Sequence, residues 1–102
     1  MAKVENMKSG RGYNRVANQF IITEEGRGAL GNFITMETFQ SYDTVIAVKT
    51  VWKDGTTIEL DINSWDYSST TGKYRNQFLG ETKKETEEKI KAGIYRLVDL
   101  NH

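Results

Sequence analysis

Between Asn18 and Ile62 the chain reads as strands, with a period of two in Asn32 to Phe39 and Thr57 to Ile62, and after Asn63 the spacing becomes helical. A period of two places alternate side chains on opposite faces of a strand, whereas positions four apart share one face of a helix. Asn18 to Thr23 holds the run Phe20, Ile21, Ile22, a short strand. Glu24-Glu25-Gly26-Arg27-Gly28 is a polar turn. Asn32 to Phe39 sets Phe33, Thr35, Glu37 and Phe39 against Ile34, Met36 and Thr38. Tyr42 to Trp52 is rich in valine, threonine and aromatics, which suit a pleated surface. Asp54-Gly55 then predicts a two-residue type I′ turn, whose central positions both need positive φ. Thr57 to Ile62 returns with Ile58, Leu60 and Ile62 on a buried face and Thr57, Glu59 and Asp61 on a wet one. Residues 42–62 are therefore expected to form an antiparallel hairpin.

Beyond Asn63, Ser68, Ser69 and Thr70 are candidate N-caps, Tyr74 and Phe78 share a face, and Gly80 is a stop. These signals predict a helix over about 70–79. Thr82-Lys83-Lys84-Glu85 has the form of a capping box and opens a second helix running to about Ala92, with only Ile90 and Ala92 to dock it. Ile94 to Leu100 alternates again as a last strand. Met1 to Arg15 has no apolar period and contains Ser9-Gly10-Arg11-Gly12, so residues 1–16 read as a flexible basic arm and 17–100 as one domain. The expected fold is α+β: an antiparallel sheet of four to five strands around the Asp54-Gly55 hairpin, with two short helices near the C-terminus on one face.

Composition narrows the function classes. The chain has 102 residues, enough for one domain and too few for two. Its eleven aromatics argue for a packed core. The absence of cysteine removes disulfides, thiolate ligands and a thiol nucleophile, and fits a reducing compartment. No signal-peptide pattern and no apolar run of spanning length is found, so a cytoplasmic protein without membrane contact is expected. Net charge is zero, but residues 1–16 carry a surplus of three positive charges and 17–61 a deficit of four. The broadly basic surface of a nucleic-acid binder is missing.

The only histidine is the final residue, His102, a poor place for a general base. With no internal histidine, the serine and cysteine triads are out. Carboxylate neighbours such as Asp61 with Asp66, or Glu24 with Glu25, read as solvated groups. No metal-ligand spacing or phosphate-cradling loop occurs, and neither a metal nor a cofactor is expected. The chemistry concentrates in Trp65-Asp66-Tyr67-Ser68-Ser69-Thr70-Thr71-Gly72-Lys73-Tyr74-Arg75, with four hydroxyls, two cations and three aromatics in eleven residues. One reading is structural: Ser68 to Thr71 cap the helix, Trp65 and Tyr74 are core, and Lys73 is solvated. The other is a binding site. There the free N–H groups at the helix start, beside Ser68, Thr70 and Thr71, with Lys73 and Arg75 close by, would receive a phosphate or a partner carboxylate. Trp65, Tyr67 and Tyr74 would stack on bases or anchor a protein. Arg11, Tyr13 and Arg15 form a second cluster, of a kind that grips a phosphate backbone.

Ser41-Tyr42-Asp43-Thr44, the hairpin, the tryptophan-to-lysine motif Trp65 to Lys73 with Tyr74, and then Phe78-Leu79 resemble a group of small uncharacterised proteins. These are encoded by phages, plasmids and other mobile elements of bacteria, many of them Gram-positive. The resemblance spans about residues 18–95. Tyr74 stands where this group often has histidine, so no imidazole role is implied at that position. The resemblance implies context rather than an activity. Small cysteine-free accessory proteins of mobile elements often bind and inhibit host functions, including restriction and RNA-guided defence.

The leading expectation is thus a non-enzymatic accessory protein that binds and inhibits a host protein, such as an RNA-guided defence nuclease, in the bacterial cytoplasm. It would be anchored by Trp65, Tyr67, Lys73 and Arg75. The alternatives are a nucleic-acid-binding accessory protein using the basic arm and the helix start, and a protein that sequesters nucleotides at that helix start. A homodimer formed through a free strand edge is compatible with all three.

Overall fold

The computed structural model describes residues 2–8, 14–26 and 33–101. Six strands form one sheet: β1 (Lys3–Lys8), β2 (Arg15–Glu25), β3 (Phe33–Ser41), β4 (Thr44–Trp52), β5 (Gly55–Asp61) and β6 (Tyr95–Val98). Two helices, α1 (Ser69–Leu79) and α2 (Lys83–Lys91), lie between β5 and β6. The strands are ordered in space as in sequence, and every pair is antiparallel except β5 with β6. The α+β class holds, with six strands rather than four to five. The parallel pair follows from the connection, because two helices carry the chain back across the sheet before β6 begins.

Lys3–Lys8, expected to be part of an arm, is the edge strand β1. It shows no apolar alternation because only Val4 and Met7 of its six residues are apolar and, three positions apart, they fall on opposite faces. Its ladder to β2 and the burial of Met7 place it in the sheet. The β4–β5 turn also differs from expectation. Trp52 pairs with Gly55, so Lys53 and Asp54 are the central residues. Neither has positive φ; Gly55 alone does, at 152°, so glycine serves the position after the bend rather than the bend itself.

Register sorts the side chains onto two faces. Ile21, Phe39, Ala47, Leu60 and Leu97 lie side by side on one face, and Ile22, Thr38, Val48, Glu59 and Arg96 on the other. The helices cover the first. The fully buried Phe39, Ala47 and Leu60 meet Tyr74 and Phe78 of α1, and the Phe39 and Phe78 rings are 5.9 Å apart. A bulge in β4 leaves Ile46 unpaired between Val45 and Ala47, so both Ile46 and Ala47 turn into the core. The Asn101 amide closes that bulge, accepting from Val45 N at 2.6 Å and donating to Val45 O at 2.7 Å. Ile62, expected on the buried face, lies past the end of β5 and is exposed. At the β3–β4 tip Tyr42 has φ of 55°, and its N–H donates to Asn18 O, whose own residue has φ of 64°.

The helix signals are confirmed in their chemistry. Ser68 caps α1 by accepting from Thr71 N, and Gly80 ends it at φ of 69°. Because α1 contains Thr70, Thr71 and Gly72, weak helix formers, its stability comes from packing rather than propensity. Thr82 and Glu85 form both halves of the capping box of α2. That helix docks through Ile90 and Thr86, whereas Ala92, expected to help, is exposed.

Candidate functional site

The chain leaves β5 through a tight turn held by a carboxylate. Asp61 accepts from Ser64 Oγ at 2.5 Å and Leu100 N at 2.8 Å, and Ser64 N and Trp65 N donate to its backbone carbonyl. Burial works to raise the Asp61 pKa, but these donors together hold it below the usual range. This turn delivers Trp65, Asp66 and Tyr67 to the start of α1.

Arg75 reaches back from α1 to that turn and is 1% exposed. Its Nη1 donates to Trp65 O at 2.8 Å and Asp66 Oδ1 at 3.0 Å, and its Nη2 donates to Asn76 Oδ1 at 2.9 Å. The guanidinium stacks over the Trp65 ring at 5.1 Å. Asp66 takes a second cation on its other oxygen, Lys83 Nζ at 2.7 Å from the start of α2. Burial pushes the Asp66 carboxyl up, and the hydrogen bonds from Lys83 and Arg75 outweigh it, so the net shift is downward. Asp66 therefore clasps α1 to α2.

Around this clasp lies an open groove of about 780 Å³, lined by Asp66, Tyr67, Ser68, Ser69, Gly72 and Lys73, among others. Tyr67, Ser68, Ser69 and Lys73 are exposed on its rim, and Thr70 is exposed beside them on α1. Lys73 Nζ lies 5.4 Å from the Tyr74 ring centre and has no carboxylate within salt-bridge distance among the described residues. Against the single carboxylate of Asp66, the groove holds Arg75, Lys83 and Lys73, and no acidic residue occupies the first turn of α1. It favours an anionic group.

The expected site residues divide accordingly. Tyr67, Ser68, Thr70 and Lys73 come together at the surface. Thr71, Tyr74 and Arg75 are buried, and Trp65 is half-buried beneath the guanidinium. Arg75 is thus not a cation offered to a ligand, because it is buried and both terminal nitrogens are taken, Nη1 by the turn behind the groove and Nη2 by Asn76 of α1. Arg15 is exposed at the start of β2, paired with Lys8. Arg11 and Tyr13 lie outside the described residues. Asp61 and Asp66, expected to be solvated, are instead each held by its own set of donors, and Asp61 is buried because the turn after β5 folds over it. Sequence reasoning missed Lys83, which read only as part of the capping-box stretch Thr82 to Glu85, and gave Ser69 only a capping role. It also missed a second polar centre. Glu81, between the helices, accepts from Lys89 Nζ and Tyr95 OH at 2.7 Å each and from Thr86 Oγ1 at 2.6 Å.

Gly72 lines the groove without needing to be glycine. A Cβ there would sit 3.6 Å from Arg75 Nη2 and 3.9 Å from Asp66 Oδ1, at ordinary contact distance. Gly72→Ala is therefore expected to raise stability by about 0.5–1 kcal/mol through helix propensity. A urea midpoint below that of the parent chain would show that the close approach matters.

Among the described residues no three His, Cys, Asp or Glu side chains converge on a metal position, and no helix is long and apolar enough to cross a membrane. The model of a family of unknown function (DUF8033) matches residues 2–93. No curated protein and no solved structure matches the chain.

Proposed function

The chain belongs to this family of unknown function, and from its own residues we propose that it is a non-enzymatic binding protein that docks on its partner through the rim of the α1 groove. The observation that carries this reading is the division of labour at the site. Asp61, Asp66, Arg75 and Glu81 are occupied by intramolecular partners, while Tyr67, Ser68, Ser69 and Lys73 stand exposed around an open cationic groove. An exposed tyrosine beside a lysine and hydroxyls is the make-up of an interface anchor. The rigid clasp behind it limits the ordering cost of binding.

The resemblance to accessory proteins of mobile elements supplies the kind of partner. It is a host protein of the bacterial cytoplasm that the chain inhibits, such as an RNA-guided defence nuclease, met through an acidic surface. The surplus of cations in the groove also favours a second reading, in which the anion is a phosphate of nucleic acid or of a nucleotide.

The test is retention of partners from bacterial lysate on the immobilised chain, with and without nuclease. Tyr67→Ala combined with Lys73→Glu is expected to cut retention of a nuclease-resistant protein at least about tenfold, with an unchanged melting temperature. Retention unaffected by the double variant would remove the rim from the site. Loss of the captured material after nuclease, with a steep decline in salt, would favour the second reading. Charge reversal at Arg75 is unsuitable here, because it would test folding rather than docking.

A further inference from the structure

The face of the sheet turned away from the helices carries an apolar patch of its own. Val4, Ile22, Thr38 and Val48 lie side by side across β1 to β4, flanked by Phe20, Ile34 and Met36. None of these belongs to the core on the helix side. Val4 is 61% and Ile34 52% exposed. The charged side chains Glu24, Glu59 and Arg96 lie at the margins of the patch. An uncharged centre with a charged rim is the anatomy of an interface. A sheet that is apolar on both faces needs a second layer.

We infer that this layer is a second copy of the chain, packed face to face as a twofold sandwich. Four strands about 4.8 Å apart and about six residues of 3.3 Å outline a patch of roughly 19 by 20 Å. With side-chain relief that is on the order of 600 Å² per copy, or ~1,200 Å² for the pair, the lower end of a specific interface. A dyad along the strands between β2 and β3 sets Val4 opposite Val48 and Ile22 opposite Thr38. Glu59 and Arg96 then remain in solvent, so no like charges are buried against each other. Sheets so packed lie about 10 Å apart. The α1 groove is on the other face, so the dimer presents two grooves outward and could engage paired sites with avidity. The inference is independent of what the groove binds.

The test is sedimentation velocity of the full chain over a dilution series. The parent chain is expected to reach twice its monomer mass of 11.7 kDa. Val4→Glu with Ile34→Glu is expected to weaken association by about a hundredfold or more, since it buries charge without a partner. Both positions are exposed in the monomer, so an unchanged circular dichroism spectrum and melting temperature serve as the folding control, and Ile34→Lys alone provides a milder second variant. A parent chain that stays monomeric throughout overturns the inference. So does a dimer that the variants leave intact, because it must use an edge or the helix side.

Discussion

Arg75→Leu should lower the unfolding free energy by about 3 kcal/mol, the cost of removing one partner from a buried ion pair. The side chain is 1% exposed and its fork supplies donors to three acceptors, Trp65 O, Asp66 Oδ1 and Asn76 Oδ1. Leucine fills part of the space but leaves all three without those donors. The expected loss lies at the low end of the range because Asp66 is 29% exposed and keeps Lys83. For a chain of 102 residues such a loss corresponds to a drop in melting temperature on the order of 15 °C. Arg75→Lys should fall between the two, since an ammonium cannot reproduce the planar fork or its stacking on Trp65. Urea denaturation of the three chains checks the order. A leucine variant within about 0.5 kcal/mol of the parent would mean that the clasp contributes little net stability.

Glu81→Ala is the second large effect expected, at about 2–3 kcal/mol, because Tyr95 OH and Thr86 Oγ1 lose a buried acceptor. The Glu81 side chain is 5% exposed. Burial pushes its carboxyl upward, and the hydrogen bonds from Lys89, Thr86 and Tyr95 more than reverse this, so it titrates below the usual range. A carboxyl whose folded pKa is depressed contributes stability above its unfolded pKa, about 4.3 for glutamate. That contribution is lost as pH falls through the folded value. Asp61 and Asp66 are depressed too and add to the same acid limb. Glu81→Gln should therefore flatten part of the decline below about pH 4.3 without abolishing it. At the alkaline end the sign reverses. Burial and the Glu81 charge raise Tyr95, so its contribution is complete below about pH 10 and is lost as pH climbs through the folded value. Urea midpoints measured against pH for the parent and Glu81→Gln check both limbs. Parallel curves across the acid range would show that Glu81 carries none of the linkage.

These two residues show where sequence reading stopped. Arg75 sits two residues from the exposed Lys73 and has the same formal charge, yet one is spent inside the fold and the other faces solvent. Their spacing along α1 places them on different faces, and which face meets the 62–68 turn is decided only when α1 packs on β3 and β4. Lys83 and Glu81 likewise read as ordinary polar positions near a capping box. They acquire their roles from Asp66, seventeen residues before Lys83, and from Tyr95, fourteen residues after Glu81.

What the sequence determined by itself is local. The strand patterns of β2 to β5, the Ser68 cap, the Thr82–Glu85 box and the Gly80 stop all act through neighbours a few residues apart, and these elements and caps are found where their chemistry placed them, with Asp61 and Ile62 at the end of β5 the exceptions. The gathering of Tyr67, Ser68, Thr70 and Lys73 at one helix start was legible for the same reason. Tertiary structure alone decided the β1 edge strand, whose evidence is a partner rather than a pattern, and the parallel docking of β6. It also decided that Arg75 and Asp66 face each other and that Ile22, Met36 and Val48 lie on the sheet face away from the helices. Strand pairing and burial depend on groups distant along the chain, and alternation gives two faces without saying which one the helices will cover.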